Sequence, residues 1–549
     1  MLDKFYKQSS KASNSIYEVN EYELRQSLIA LKSEYGYLSD ITCIDYLDFV
    51  DKKSSRFYLV YILRSNDFAT TISLKVELKE LVTQSVSDIY ELANWAEREV
   101  YDQYGVRFEN HPNLKRVLNH KEFVGHPLRK DYPITKYQLC TQTDDLMDEM
   151  KTLIEKKGYS NSSTLNYLNL GPSHPATHGT IRLFVALEGE KIVATVPEIG
   201  YLHRGFEKAA ECHTYNQIIP YTDRLNYCSA ILNNIAFAKT IEDMLDIKAP
   251  DRAIFIRVII GELSRIIDHL VCLAANLVDM GALTNYWYLF NPREMVYDLL
   301  SKLTGARLTN SYTRVGGLAH DLYDGFEDDL NESIRQIEVG MGDTLKLIEH
   351  NRIFHDRTQN VGTISKENAL SLGFSGPNLR ACGVKYDLRK NAPYDYYDTF
   401  DFSIAIGSVG DTYDRMMVRF EEIRQSISII RQAMKRMPKG DIMTSDHSIS
   451  LPKKRDVYSN TEGLMNQFKL TFEGVKVPPM EHYSAIEAAN GELGFYVVSD
   501  GSGTPWKVKV RPPCFYAING ISKMLENHLV ADSVIVLGSL NIIAGEMDR

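Results

Sequence analysis

An α+β domain followed by a mainly α, helix-bundle domain with small β sheets is the fold class this sequence predicts. Three observations lead to it. Between residues 41 and 78, short runs of β-branched and aromatic residues are flanked on both sides by helical spacing. From residue 250 onward, long segments carry apolar residues three and four apart. Strand-like runs return only near residues 165–187 and 468–511. At 549 residues the chain is too long for one core. Three parts are expected: a domain over 1–135, a linker over 136–163 and a second domain over 164–549.

The elements follow in order. Asn20 and Glu23 form a capping box ahead of Leu24, Leu28, Leu31 and Tyr35, and Gly36 is the stop. Strands are predicted at 41–49, 57–63 and 71–78; in the last, Ile72, Leu74, Val76 and Leu78 alternate with polar residues. The next helix carries Ile89, Leu92, Ala93, Ala96 and Val100 on one face and ends at Gly105. Its Glu97, Arg98, Glu99 and Asp102 read as a solvated face. The linker is polar, but Leu146, Met147, Met150, Leu153 and Ile154 keep helical spacing, so it contains one amphipathic helix.

Tyr167–Leu170 and Ile181–Leu187 read as the two strands of a hairpin, with Gly171-Pro172 turning the chain between them. Pro250-Asp251 opens a helix whose Ile254, Val258, Ile259, Leu263, Ile266, Ile267 and Leu270 suit burial in a bundle. Further helices are predicted at 292–303, 328–352 and 413–436. The second small sheet is predicted near 468–470 and 495–511.

Composition excludes several classes. A hydrophobic share of 44% with 24% charged residues is ordinary for a globular protein. A formal net charge of -10 without a basic stripe argues against nucleic acid as a partner. The first fifteen residues lack a signal-peptide core and an Arg-rich presequence pattern. Leu270–Phe290 is the best membrane-span candidate, but Asn276, Asp279 and Asn285 within it favour a buried bundle helix. The seven cysteines (43, 140, 212, 228, 272, 382 and 514) are scattered with no CxxC, which reads as reduced thiols in the cytosol. Without paired thiolates, neither a soft metal nor an iron-sulfur cluster is expected on this chain.

The stretch YLNLGPSHPATHG, Tyr167 to Gly179, places His174 and His178 on the hairpin's loop. Their spacing does not bring them to one helical face there, so a chelating pair is disfavoured, and the plain reading is two loop histidines bonded to nearby backbone. The same stretch, however, resembles the 49-kDa (D-type) subunit of proton-pumping NADH:quinone oxidoreductase, respiratory complex I. The resemblance continues through IGYLHRGFEK (199–208), YTDRLNY (221–227), ELSRIIDHL (262–270), DMGALT (279–284), TRVGG (313–317), GELGFYVVSDG (491–501) and GEMDR (545–549). Residues 1–135 are similar to the 30-kDa (C-type) subunit, through EREVYDQYGVRFENHPNLKRVL (97–118) and GHPLRKDYP (125–133). The chain resembles a bacterial C/D fusion of the two. A tether of this kind makes docking intramolecular, with effective concentrations on the order of mM for short flexible links.

The resemblance implies a fold similar to the nickel-iron hydrogenase large subunit but without its metal site, since the cysteine pairs are missing. It also implies a quinone substrate, reduced beside the terminal iron-sulfur cluster of an adjoining B-type subunit, with electrons from NADH and coupled proton translocation. Tyr227 and His178 correspond to the residues at the two quinone carbonyls, and Asp279 to the carboxylate that orients the histidine. Gly171, Pro172, His174 and Gly179 shape the quinone loop. Arg224 and Arg314 correspond to arginines near the partner cluster; the bland alternative is an ordinary ion pair. Gly316 and Gly317 suggest close backbone approach.

Implied partners are the B-type cluster subunit, the I-type ferredoxin-like subunit, the G-type subunit and the membrane H-type subunit. Residues 97–118 and 125–133 should dock onto neighbours. The implied location is the cytoplasmic side of the cell inner membrane, peripherally held. Three departures stand out: Thr309 replaces a histidine near the cluster, Asn226 an acid, and Ser173 a glutamine. Threonine cannot ionise, so a less pH-dependent cluster potential is expected. A noncatalytic scaffold and a hydrogenase-type subunit are the rival classes, and the missing cysteine pairs count against the second.

Overall fold

The computed structural model describes residues 6–8, 15–143, 145–159, 165–177 and 179–549. The first sheet comprises β1 (Tyr6–Gln8), β2 (Ser15–Val19), β3 (Tyr37–Asp45), β4 (Phe57–Arg64) and β5 (Thr71–Leu78), in the order β1-β2-β5-β4-β3. β2 and β5 run parallel and the other neighbours antiparallel. Asn20 caps the helical segment that includes Leu24–Leu31 by accepting from the Tyr22 amide at 3.1 Å. The strand predicted at 41–49 instead starts at Tyr37 and stops at Asp45.

β4 is buried along its whole length, and the reason is tertiary. Leu59, Tyr61 and Leu63 pack into the main core, while Tyr58, Val60 and Ile62 pack against Tyr483, Tyr496 and Val498 of the second part. The sheet is therefore a middle layer.

The solvated face expected on the helix Leu92–Tyr104 is wrong: Glu97, Arg98, Glu99 and Asp102 are all buried. Each has found partners that sequence spacing does not reveal. Glu97 accepts from Ser85 Oγ at 2.6 Å and the Val86 amide at 2.7 Å. Arg98 donates to the Lys115 and Arg116 carbonyls at 3.3 and 3.0 Å. Asp102 accepts from the amides of Val117, Leu118 and Asn119 and pairs with Arg116 at 2.7 Å. Glu99 reaches across to Lys509 and Arg549. A buried charge persists only when compensated in this way.

Within the linker, the helix Met147–Lys156 docks on the strand Lys191–Glu198. Leu146, Met150 and Ile154 share a small core with Phe184, Ala186, Val193 and Val196. That strand belongs to an antiparallel sheet with Asn166–Leu170 and Arg182–Glu188, the hairpin predicted from the sequence.

The helix Asp251–Asp279 is the axis of the second part. It packs against Ala230–Leu245, Leu283–Thr304, Thr412–Arg436 and Val530–Leu540. Arg265 and Arg389 pair with its buried Glu262 at 3.2 and 3.1 Å; burial alone would raise this carboxyl, but the two cations hold it at about 2. The helix predicted at 292–303 begins earlier, at Leu283, and runs through Pro292. A proline frees the carbonyl four residues back, here Tyr288 O. Gly340 of the neighbouring helix Phe326–Ile348 faces that carbonyl so closely that a Cβ would lie 2.2 Å from it.

The predicted helix 328–352 is in fact two. Phe326–Ile348 ends, and Asn351 caps a new helix, Arg352–Thr358, by accepting from the Ile353 and Phe354 amides. The strand expected at 468–470 is also wrong, because those residues lie in the helix Thr461–Phe472, where Phe468 and Phe472 meet one turn apart with centroids 4.6 Å apart. The second sheet is Met480–Ala488, Gly491–Ser499 and Lys507–Arg511. Among the described residues no helix is long and apolar enough to cross a membrane. In the 270–290 window the helix stops at Asp279 and the next begins at Leu283.

Candidate functional site

The hairpin loop is closed by its own backbone. His174 O accepts from the Thr177 amide at 3.1 Å, the Gly179 amide at 3.3 Å and Thr177 Oγ1 at 3.1 Å. Gly171 has φ +86, and a Cβ there would lie 2.1 Å from Ile181 O and 2.4 Å from Thr177 Oγ1. Only glycine lets the loop return over its own root. The Gly171-Pro172 peptide is cis. His178 lies outside the described residues. The short helical turn Pro175–Thr177 packs against the helix Val530–Leu540.

That helix also meets Asp279. Asp268, Cys272 and Asp279 are separated by about one and three turns of the axis helix and so share a face. Against this face, Asn541 Nδ2 donates to Asp268 at 2.5 Å and Cys272 Sγ donates to Gly538 O at 3.7 Å. A Cβ on Gly538 would lie 3.0 Å from Asn276 Oδ1 and 3.5 Å from Asp279 Oδ2. Asp279 remains exposed to solvent, yet the surrounding protein raises its carboxyl to about 6.

Tyr227 opens a helical turn, Tyr227–Ser229, that also packs on the axis helix. Asn226 fixes this turn, accepting from the Cys228 amide at 3.1 Å and donating to Asp268 at 2.6 Å; Ser229 Oγ donates to the same carboxylate at 2.9 Å. The substitution at Asn226 therefore changes a buried anchor and leaves the surface charge alone. Tyr227 keeps 44% of its surface exposed, while burial around its hydroxyl raises the phenol to about 12.

Loop, tyrosine and carboxylate are thus gathered around one helix pair.

Behind Tyr227 lies a polar cluster the sequence did not suggest. Cys514 Sγ donates to Glu546 at 2.8 Å, Asn490 Nδ2 donates to the thiol at 3.5 Å, and Asn541 bridges Asn490 and Asp268. Burial raises Glu546 to about 7. Its residues come from positions far apart in the chain, so spacing carries no trace of them. The motif islands meet here too: a Cβ on Gly545 would lie 2.4 Å from Arg224 O, and Asp548 accepts from the Gly200 and Leu202 amides at 3.0 and 2.8 Å.

Arg224 and Arg314 flank buried Asp223, which accepts from Asn234 at 2.8 Å and from Ser311. Arg224 lies 4.0 Å from it, half-exposed. Arg314 donates to the Thr313 carbonyl at 3.2 Å and to that of Ser311; burial lowers its pKa, against the attraction of Asp223. Gly316 and Gly317 do permit close approach, since a Cβ on Gly317 would lie 2.1 Å from Ile442 O. A cleft of about 810 Å³ lies at the root of the hairpin loop, lined by Gly171, Pro172, Arg182 and Tyr201 and by Arg98 and His120 of the first part. Neither Tyr227 nor Asp279 lines it.

These features describe a class in which a sheet-and-helix unit is ion-paired to a helical bundle, with titratable groups gathered at the bundle surface and no CxxC thiolate pair in the sequence. Two family models match: the respiratory-chain NADH dehydrogenase 30 kDa subunit over residues 17–138 and the 49 kDa subunit over residues 279–549. A relative from Bdellovibrio bacteriovorus, a C/D-type subunit of NADH-quinone oxidoreductase, is 44% identical over 99% of this chain and 97% of its own length. The D-type subunits of NADH-quinone oxidoreductase from Pelobacter propionicus and Myxococcus xanthus are 48% and 49% identical, each over 70% of this chain and over 95% and 92% of their own lengths. The chain belongs to the family of C/D-type subunits of NADH-quinone oxidoreductase, or complex I.

Proposed function

We propose that this chain forms the wall of a quinone-reduction chamber, with Tyr227 and His178 as proton donors at the two carbonyl oxygens. The observation that carries the reading is the gathering of Tyr227, Asp279 and the loop turn Pro175–Thr177 around the helices Asp251–Asp279 and Val530–Leu540. Tyr201, Leu202 and Tyr227 remain 46, 43 and 44% exposed, which leaves apolar side-chain surface open beside buried motifs. Adjoining subunits would cover it and complete the chamber.

Reducing a quinone takes two electrons and two protons. An iron-sulfur cluster on the B-type subunit would supply the electrons, with NADH as their source upstream. This chain would supply protons. At about 12 the Tyr227 phenol stays protonated at neutral pH, so it donates a hydrogen bond to the carbonyl and a proton once reduction makes that oxygen basic. Asp279, at about 6, is ionised at neutral pH and would hold the His178 imidazolium in place. Loss of that proton would leave the carboxylate without its cation, a charge change that can bias a neighbouring element and so couple reduction to proton translocation.

In the same reading, residues 1–135 and 164–549 correspond to separate C-type and D-type subunits, joined by the linker 136–163. The I-, G- and membrane H-type subunits are the further neighbours, and the complex would hold this chain peripherally on the cytoplasmic side of the inner membrane. Arg224 and Arg314 would lie toward the cluster, whose reduced form a fixed cation favours.

Membranes carrying Tyr227→Phe provide the test, with an artificial-acceptor assay that bypasses the quinone as control. A fall of roughly a hundredfold in quinone reduction with artificial-acceptor activity intact is expected. Unchanged quinone reduction in an assembled complex would make the tyrosine structural and the chain a scaffold.

A further inference from the structure

Three residues at the cleft by the root of the hairpin loop, which neither Tyr227 nor Asp279 lines, bring together an imidazole, a carboxylate and a thiol. His120 and Glu122 belong to the first part and Cys140 to the linker, and their candidate ligand atoms all lie within 4.8 Å of one another. We propose that His120, Glu122 and Cys140 bind a zinc-type divalent cation that staples the linker to the first part.

The surrounding bonds orient the donors. His120 Nε2 donates to Gln142 O at 2.6 Å, which turns Nδ1 toward Glu122, 3.8 Å from its Oε2. A metal-bound histidine characteristically gives its second N–H to such an acceptor. Glu122 Oε2 accepts from the Thr141 and Gln142 amides at 3.0 and 3.3 Å, which fixes the carboxylate in place. The same bonds draw the 140–142 segment over the pair and bring Cys140 with it.

Tetrahedral zinc, with bonds of about 2.0–2.3 Å, sets its ligands roughly 3.5 Å apart, so the closing movement needed is small. On binding, Cys140 would lose its proton to solvent, and Nδ1 would exchange the Glu122 amide, now at 3.1 Å, for the ion. His120 and Cys140 line the cleft of about 810 Å³, which gives an ion a path in and water a place as fourth ligand. Thiolate and imidazole favour zinc over magnesium or calcium. The missing CxxC excludes paired thiolates but says nothing of this mixed set. Nothing in the quinone reading depends on it.

The test measures zinc, relative to protein, in the purified complex carrying the full chain and in complexes carrying Cys140→Ser or His120→Gln. One zinc per chain should be lost in each variant, with quinone reductase activity unchanged. Cobalt exchanged into the wild-type complex should show a thiolate-to-metal absorption band that Cys140→Ser abolishes. Chelation should speed proteolytic cutting within 136–163 severalfold. Zinc that is equal in wild type and both variants, or cobalt absorption without the thiolate band, means an adventitious ion only and overturns the site.

Discussion

Asp279, Tyr227 and Glu546 are single groups whose surroundings set their protonation. With Asp279 at about 6, quinone reductase activity should fall on the acid side as pH drops through that value, because the protonated carboxyl no longer holds an imidazolium. Asp279→Asn should lower activity roughly tenfold or more and flatten that acid limb; a limb unchanged in the variant would remove Asp279 from the proposed mechanism. Glu546 offers a stability test. Its folded value of about 7 lies above the ordinary 4.5, so the folded chain holds the extra proton between them, and stability falls as pH rises through that window. Glu546→Gln should make the slope shallower, as read from denaturant midpoints between those pH values. At this scale Tyr227 was legible from its motif, whereas Glu546 was not, because burial alone gives it an unusual proton affinity.

The hairpin loop and the axis helix act as elements. Gly171 sits at φ +86 with Ile181 O where a Cβ would go, so Gly171→Ala must open the loop root. A local cost of about 1–3 kcal/mol is expected. Quinone reduction should drop in the assembled complex while artificial-acceptor activity holds; an unaffected quinone rate would detach the loop from the reaction. The hairpin and the axis helix were readable from alternation and from spacing. The expectations that failed had one tertiary cause and one local cause. Pro292 stays helical because Gly340 leaves room for the freed carbonyl, and 468–470 is helical because two phenylalanines pair along one face.

Across the whole molecule, buried charges tie the two parts together. Arg64 pairs with Glu492 at 2.8 Å, Lys130 with Glu211 at 2.9 Å, and Glu99 with Lys509 and Arg549. Burial alone would raise Glu99, but Arg549 and Lys509 hold it at about 2. A depressed carboxylate contributes fully above its unfolded value near 4.5, and that stability is lost as pH falls toward 2. Glu99→Gln leaves two cations short of a partner and should cost about 3–5 kcal/mol. Calorimetry should then record a lower midpoint and less complex assembled in membranes; an unchanged midpoint would mean that the ion pairs do not hold the parts together.

The fold class and the family could be read along the chain, because local periodicity and motif order are written there. Tyr227, Asp279 and the Gly171–Gly179 loop emerged as candidates from the same reading. What lies between distant segments came from folding alone. Glu99 on the acidic helix face pairs with Lys509 and Arg549 of the second part, Asn226 and Asn541 anchor one carboxylate, and His120 meets Cys140. Such pairings depend on burial and contact between residues far apart in sequence, and neither leaves a period or a spacing to read.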